Sequence, residues 1–361
     1  MKSIVSLTVV YLLLLILLTV ETPALMPSEM MQSEMMQSTL AWTQIFREDS
    51  ENIKNLLLVL SKTASGKKIL SLASSKLSSV KTAREKKGIA EIIHKGDIST
   101  TNTSILRKII THPSTAATGT TTLAYSYTYS HTIYIDRSLT IVEAVLDLAH
   151  ELTHYVYRPE NNPYQKNFRV KDFIVSTIEG RGGEADAYLV ECKVWSELSR
   201  IITNNKTHKN QKLCKEMYDA RTQKFSKQKI VEEFYKLGGH YRQFIADIEL
   251  YQLSPQDFPF ATAHNARFFS STYDLPYPLS ALYEFQNTLK KVCDNDLKKI
   301  KLIKSKILSK TWGKTSLTFT PTPMPTAAAS AATAKASTSS LSYSQLEKEY
   351  LDRCESTIVE I

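Results

Sequence analysis

The chain has 361 residues, of which 42% are hydrophobic and 22% are charged. This is an ordinary globular composition, with enough length for one large domain or two modest ones. The formal net charge is +9, but the lysines are scattered in pairs and no nucleic-acid-binding motif accompanies them. We therefore expect a solvated basic surface and no nucleic-acid partner.

The N-terminal segment predicts export. A lysine at position 2 precedes an uncharged, strongly apolar run over residues 4–20, and Pro-Ala follows shortly after. A short basic region, an apolar stretch and a small residue after a helix breaker are typical of a secretory signal peptide, here assigned to residues 1–24. An uncleaved N-terminal anchor is the alternative, and it would be the only expected contact with a membrane. Either interpretation places the chain outside the cytoplasm, as a secreted or periplasmic protein.

Helical periodicity dominates the chain after this segment. Residues 28–37 repeat Ser-Glu-Met-Met-Gln twice, and residues 25–40 predict a low-complexity spacer. Apolar residues then recur at three- and four-residue steps, which predicts a helical N-terminal subdomain over 41–118. Alternating polar and aromatic or β-branched residues at 125–135 predict a strand, either single or part of a hairpin. A helix over about 140–157 follows it, with Asp136 or Ser138 as its expected cap. Further helices are expected near 169–179, 184–202, 210–222, 228–250 and 279–309.

The C-terminal part of the chain changes in composition. Residues 313–343 are rich in Pro, Thr, Ala and Ser and predict a linker, and residues 344–361 predict a short C-terminal helix. The cysteines contain no CxxC pair, so a thiolate zinc site is not expected. Their even number in an exported chain permits disulfides, while free thiols remain open, and the sequence does not give the pairing of Cys192, Cys214, Cys293 and Cys354.

The predicted helix at 140–157 carries the sequence His-Glu-Leu-Thr-His. Two histidines four residues apart, His150 and His154, project from adjacent turns and can both reach one metal ion at about 2.0–2.1 Å. Glu151 follows the first histidine and can face a water molecule held on that ion. This is the H-E-x-x-H arrangement of a zinc peptidase, and chance rarely produces it.

A catalytic zinc ion takes three protein ligands and keeps one position open. The downstream candidates for the third ligand are Glu179, Glu184 and Glu191. Glycines at 180, 182 and 183 allow a tight turn just before Glu184, which would open a new helix. Glu184 is therefore favoured, Glu179 is the alternative, and Glu191 is expected to be an ordinary exposed helix residue. The oxyanion-stabilising residue stays open among Tyr157, Tyr188, Tyr241, His240 and His264.

The segment Glu-Ala-Asp-Ala-Tyr that begins at Glu184 resembles the gluzincins, HExxH metallopeptidases whose third ligand is a glutamate on a following helix. Many members carry Glu-x-x-Ala-Asp there. The resemblance implies that His150, His154 and Glu184 bind one Zn²⁺ ion and that Glu151 is the general base. It covers roughly residues 120–200.

The resemblance also carries one departure and one expectation about the fold. Tyr188 stands where many gluzincins have an aspartate that orients a ligand histidine, and Asp147 or Asp186 could take over that task. A zincin core would contain a β-sheet whose edge strand, expected near 131–135, guides the substrate.

These observations predict an α+β, mostly helical fold. A zincin-like metallopeptidase domain over 119–312 would have a small β-sheet preceding the active-site helix. The expected function is an exported zinc metallopeptidase, an endopeptidase, which hydrolyses protein or peptide substrates with Glu151 as general base. The alternative is an exported interaction or binding protein on a catalytically inactive zincin-like scaffold.

Overall fold

A computed structural model describes residues 39–79, 88–111, 123–165, 168–201, 211–251, 253, 264–312 and 346–355. This part of the chain is mostly helical with a small mixed sheet, which agrees with the predicted α+β class. The predicted signal segment at 1–24 and linker at 313–343 lie outside the described residues. Among the described helices, none is both long and apolar enough to cross a membrane.

The α-helices are α1 (Asp49–Ser61), α2 (Ala64–Ser79), α3 (Ile141–Tyr157), α4 (Val170–Ile178), α5 (Glu184–Leu198), α6 (Gln211–Met217), α7 (Lys227–Phe234), α8 (Tyr241–Leu250) and α9 (Tyr277–Trp312).

The main sheet has three strands, β1 (Ile93–Gly96), β2 (Thr100–Thr111) and β3 (Leu123–Asp136), in the order β1-β3-β2. β3 pairs in parallel with β1 and antiparallel with β2. The expectation of an edge strand near 131–135 is therefore wrong, because β3 is central and β2 is an edge. Neither β1 nor β2 was predicted from the sequence. Two short antiparallel pairs complete the described strands: β4 (Tyr218–Asp219) with β5 (Lys224–Phe225), and β6 (Phe269–Ser270) with β7 (Leu275–Pro276).

Helix α3 follows the sheet directly and begins with a capping box. The Thr140 side chain accepts a hydrogen bond from the backbone N–H of Glu143, and the Glu143 carboxylate accepts one from the backbone of Thr140. This reciprocal pair satisfies N–H groups that the first turn of a helix leaves without partners. Thr140 is thus the cap, rather than the expected Asp136 or Ser138. The helix ends at Tyr157, close to the boundary that Pro159 predicts.

A hydrophobic core surrounds α3 and joins it to the N-terminal helices, the sheet and α5. Leu56 of α1, Ile133 of β3 and Leu148 of α3 are all fully buried in this cluster. On α5, Ala185 and Ala187 are also fully buried. Such small side chains allow close approach of two helices, as predicted for α5 and the histidine helix. Packing on several sides leaves α3 little freedom to shift its polar residues.

The second hydrophobic cluster lies around α4, α7 and the long helix α9. The predicted helix over 228–250 is two helices, α7 and α8, separated at Gly238. This glycine has a φ of +54°, a left-handed conformation that other residues rarely adopt. The helix expected near 279–309 is α9, which runs over Tyr277–Trp312.

Two disulfides are present, and the described residues contain no free cysteine. Cys192 of α5 bonds Cys214 of α6. Cys293 of α9 bonds Cys354, so the C-terminal segment at 346–355 is fastened to α9. Within that segment, residues 346–350 are helical, which overlaps the predicted C-terminal helix.

Candidate metal centre

The histidines of α3 lie side by side, with their ring centroids 4.7 Å apart. Each Nδ1 atom faces an oxygen acceptor. The Nδ1 of His150 lies 3.3 Å from a carboxylate oxygen of Glu191, and that of His154 lies 2.8 Å from the carbonyl oxygen of Gly182. An acceptor at Nδ1 favours the tautomer that carries its proton there, which leaves the lone pair of Nε2 available for a metal ion.

Glu184 faces both Nε2 atoms. One carboxylate oxygen lies 3.1 Å from Nε2 of His150 and the other lies 3.3 Å from Nε2 of His154. Donor atoms bound at about 2.0–2.1 Å in a tetrahedral zinc site are separated by roughly 3.3–3.4 Å. The three side chains therefore have the donor chemistry and nearly the spacing of a zinc site. The side chain of Glu184 is only 10% exposed.

The turn before Glu184 depends on Gly182, whose φ is +71°. A Cβ atom at this position would lie 2.3 Å from the backbone nitrogen of Arg158, so other residues are excluded there. Asp186 accepts a hydrogen bond of 2.9 Å from the backbone N–H of Gly182. The turn consequently holds the Gly182 carbonyl against His154. Asp186, predicted as a residue that orients a histidine, thus contacts the turn that faces His154.

Glu151 lies beside the histidine pair and is 6% exposed. The Thr101 hydroxyl of β2 lies 2.7 Å from its carboxylate and 3.0 Å from its backbone carbonyl, so it can donate to either oxygen. One ligand atom each from His150, Glu151 and His154 lies within 4.8 Å of the others, so Glu151 could also approach a metal ion. We favour Glu184 as the third ligand because its oxygens come within 3.3 Å of both Nε2 atoms.

Glu191 is 4% exposed and contacts His150, so the expectation of an ordinary exposed helix residue is wrong. Because Tyr188 stands where an aspartate was expected, the sequence left open which carboxylate contacts a histidine. Glu191 makes this contact with His150. Asp147, the other proposed substitute, is instead hydrogen-bonded to Ser99. Burial, reinforced by the negative charge of Glu191, raises the pKa of Asp147 to about 7.

The pKa values of His150 and Glu184 are both shifted. Burial alone would lower the pKa of His150, but hydrogen bonds to Glu184 and Glu191 raise it well above its usual value. Burial alone would raise the pKa of Glu184, but the positive charge of His154 and the hydrogen bonds from both histidines hold it well below its usual value. Arg158 adds an ion pair with Glu184 at 3.0 Å. The carboxylate thus stays ionised, as a metal ligand must.

Tyr277, the first residue of α9, was missed by the sequence analysis. It lines the cleft above the histidines and forms a hydrogen bond with Glu184. Burial and the nearby charges of Glu184 and Glu151 raise the pKa of its hydroxyl well above the usual value, so the group keeps its proton and can donate it. No motif marks this tyrosine, because its position depends on the packing of a distant helix.

The remaining candidates do not line the cleft in front of the histidines. Glu179 accepts a hydrogen bond of 3.0 Å from the Tyr235 hydroxyl, and no contact with either histidine is found among the described residues. The residues considered for oxyanion stabilisation are likewise absent from the described lining of the cleft: Tyr157, Tyr188, Tyr241, His240 and His264.

The centre opens into a cleft of about 660 Å³. One side is formed by seven consecutive residues, Ser99 to Ile105, at the start of the edge strand β2. Another side is formed by one face of α9, which contributes Tyr277, Ala281, Glu284, Thr288, Val292 and Asn295. The cleft gives an extended molecule access to Glu151 and to the histidines.

No protein-family model matches the chain, and comparisons with curated proteins and with solved structures find no match either. The interpretation of the centre therefore depends on the spacing of its donor atoms, the acceptors behind them and the cleft in front of them.

Proposed function

We propose that the protein is an exported, zinc-dependent metallopeptidase of the gluzincin type, which hydrolyses peptide bonds in protein or peptide substrates. One observation carries this proposal: the Nε2 atoms of His150 and His154 converge on the Glu184 carboxylate, with Glu151 adjacent, at an open cleft. A structural zinc site has no need of a general base or of an open cleft. The position of the Glu151 carboxylate beside the histidines and the cleft in front of them therefore support a catalytic role.

The donor set fits one zinc ion. Two imidazole nitrogens and one carboxylate form a ligand set known from catalytic zinc sites, and both histidines have an acceptor behind them. Bound there, zinc would supply Lewis acidity toward a substrate carbonyl and would lower the pKa of water.

Glu151 is the proposed general base. Its carboxylate would accept a proton from the attacking water and pass it to the nitrogen of the departing amine, which balances the hydrolysis. The Thr101 hydroxyl, 2.7 Å from this carboxylate, would restrict its rotation. The protonated Tyr277 hydroxyl would donate a hydrogen bond to the oxygen of the former carbonyl, where negative charge develops.

The edge strand β2 is the proposed guide for the substrate. Neighbouring side chains of a strand point to opposite faces, yet all of the residues from Ser99 to Ile105 line the cleft. The strand therefore presents its edge, where the backbone N–H and C=O groups can pair with an extended peptide. The strand proposed to bind the substrate is therefore β2, and not β3 as the sequence had predicted.

The proposal of export draws on two features. The apolar N-terminal run is typical of a secretory signal, and disulfides persist mainly in oxidising compartments.

The decisive experiment compares the wild type with Glu151→Gln, both purified after loading with zinc. We expect one zinc ion per chain in each protein and a loss of peptide hydrolysis in the variant of about 10²–10⁴-fold or more, the usual contribution of a general base. Glu179→Gln serves as the matched control and should retain activity, because Glu179 contacts Tyr235 instead of the histidines.

Two outcomes would contradict the proposal. Unchanged hydrolysis by Glu151→Gln would exclude Glu151 as the base. A wild-type protein that binds zinc but cleaves no peptide would favour the inactive, partner-binding scaffold.

A further inference from the structure

Glu284 lies on the cleft-lining face of α9, about two helical turns after Tyr277. Its carboxylate interacts electrostatically with His154 and Glu184 of the candidate metal centre. The side chain therefore lies near the position where a scissile peptide bond would be held. The proposed mechanism assigns it no task.

Among the described residues, no ion pair or hydrogen bond reaches the side-chain carboxylate of Glu284. Arg158, the cation with the largest effect on the pKa of Glu284, is engaged at 3.0 Å by Glu184 and at 3.3 Å by the carbonyl oxygen of Gly182. Lys291 also lines the cleft, but it lies about two turns further along α9.

The surroundings of Glu284 combine access with partial desolvation. Its side chain is exposed in the cleft, and yet protein atoms surround it densely enough that burial raises the pKa of its carboxyl. A charged group in such a place lacks part of its hydration. A cation that enters the cleft can compensate for this lost hydration. The cation and the carboxylate then attract each other more strongly than they would in bulk water.

We propose that Glu284 determines specificity by selecting a lysine or arginine side chain next to the scissile bond of the substrate. The inference rests on the proposed peptidase function and names its substrate class. A peptide held along β2 projects side chains away from its backbone, and the four-carbon stem of lysine can extend across the cleft toward α9. The basic surface of the protein, with a net charge of +9, does not supply this preference, since it would repel cationic peptides in general.

The test uses a random dodecapeptide library with blocked termini, digested by the zinc-loaded protein and analysed by mass spectrometry. We expect Lys and Arg to be enriched at one position beside the cleaved bond. Paired peptides that differ only by Lys or Met at that position should then differ in kcat/KM by about 10- to 100-fold, the range for a well-placed substrate contact. Glu284→Gln should reduce this ratio to near unity, and Glu284→Lys should shift the preference toward Asp and Glu.

Asp294→Asn is the matched control. It removes the same charge from the same helix, but Asp294 is exposed and does not line the cleft, so the Lys/Met ratio should stay unchanged. A second readout is independent of turnover: fluorescence anisotropy should show tighter binding of the Lys peptide than of the Met peptide to Glu151→Gln, and equal binding to Glu151→Gln/Glu284→Gln.

The outcomes separate the two proposals. Cleavage without cationic preference, or a preference that survives in Glu284→Gln, overturns the role of Glu284 while the peptidase function stands. If the zinc-loaded wild type cleaves no library peptide, the peptidase function and the inference both fail.

Discussion

Two carboxylates in this protein each contact two basic side chains, but the two clusters differ in the chemistry that they allow. Glu184 lies between His150 and His154 in the cleft, while Asp296 lies between Arg107 of β2 and Arg353 of the C-terminal segment. The Asp296 side chain is 2% exposed and that of Glu184 is 10% exposed. Both clusters thus hold a carboxylate with little access to water.

The two clusters differ in the basic side chains that contact the carboxylate: guanidinium groups at Asp296 and imidazoles at Glu184. A guanidinium group does not lose its proton in proteins, so the cluster around Asp296 stays an ion pair at any working pH above the titration of its carboxylate. An imidazole can release its proton and bind a metal ion instead. The Asp296 cluster joins β2 to α9 and to the C-terminal segment, which suits a fixed structural link. The Glu184 cluster can exchange protons for a metal ion, which suits a reactive centre.

Removing the Asp296 carboxylate should have the largest effect on stability. Asp296→Ala removes the carboxylate that pairs with the guanidinium groups of Arg107 and Arg353 in a buried place, and breaking such a cluster costs about 3–5 kcal/mol. Urea unfolding should report this loss, while the folded fraction still binds zinc. Asp294→Asn on the same helix should change stability little. A folded Asp296→Ala protein unable to bind zinc would contradict the separation of the two clusters.

Removing the charge behind His150 should have an intermediate effect, and on the metal rather than on the fold. Glu191→Gln keeps the shape of the side chain but weakens the contact at Nδ1, so zinc affinity should fall by about 10- to 100-fold. Competition with a zinc chelator measures this change. Glu179→Gln is the control, and an equal loss of affinity in that variant would show that the contact with His150 is not the cause.

A change of one pH unit is expected to have the smallest effect, about tenfold in zinc affinity for each proton released. The pKa of His150 is raised in the metal-free protein, so affinity should increase as pH rises and level off above that raised value. Isothermal titration calorimetry in buffers of different ionisation enthalpy counts the protons released. An affinity that stays constant between pH 5 and 8 would contradict the proposed proton exchange.

The raised pKa of His150 also affects the stability of the metal-free protein, and this effect has the opposite dependence on pH from zinc affinity. A histidine with a raised pKa contributes stability below about pH 6.5, its unfolded value, and loses this contribution as pH rises through the folded value. Chelated protein should therefore become less stable toward alkaline pH, while zinc-loaded protein should not show this loss. Thermal unfolding with and without chelator distinguishes the two.

The sequence predicted the parts of the molecule whose signals are local. Helix α3 and the pair His150 and His154 follow from spacing within one helix, and the glycine turn before Glu184 is visible in a few residues. The break at Gly238 was also locally marked by Gly-Gly, although a single helix was expected there. Strand β2 was missed because its first half is polar and lies at an edge, where burial does not impose a clear alternation.

The rest of the site depends on contacts between distant parts of the chain. Glu191 shares its helix with Glu184, but only the close packing of α5 on α3 brings it to His150. Tyr277 and Glu284 reach the cleft because α9 lies along it, and the sequence around these two residues contains no pattern that predicts this placement. Residues of this kind can be identified only when the relative placement of helices is known.

Trp42 belongs to the hydrophobic core around α3 and contacts the residues at which that helix begins. It is 2% exposed, its indole N–H donates to the carbonyl of Asp136, and its backbone N–H donates to the carbonyl of Leu139. Ala41 forms an isolated bridge with Thr140, the cap of α3. Removal of Trp42 should consequently loosen the first turn of the helix that carries both histidines.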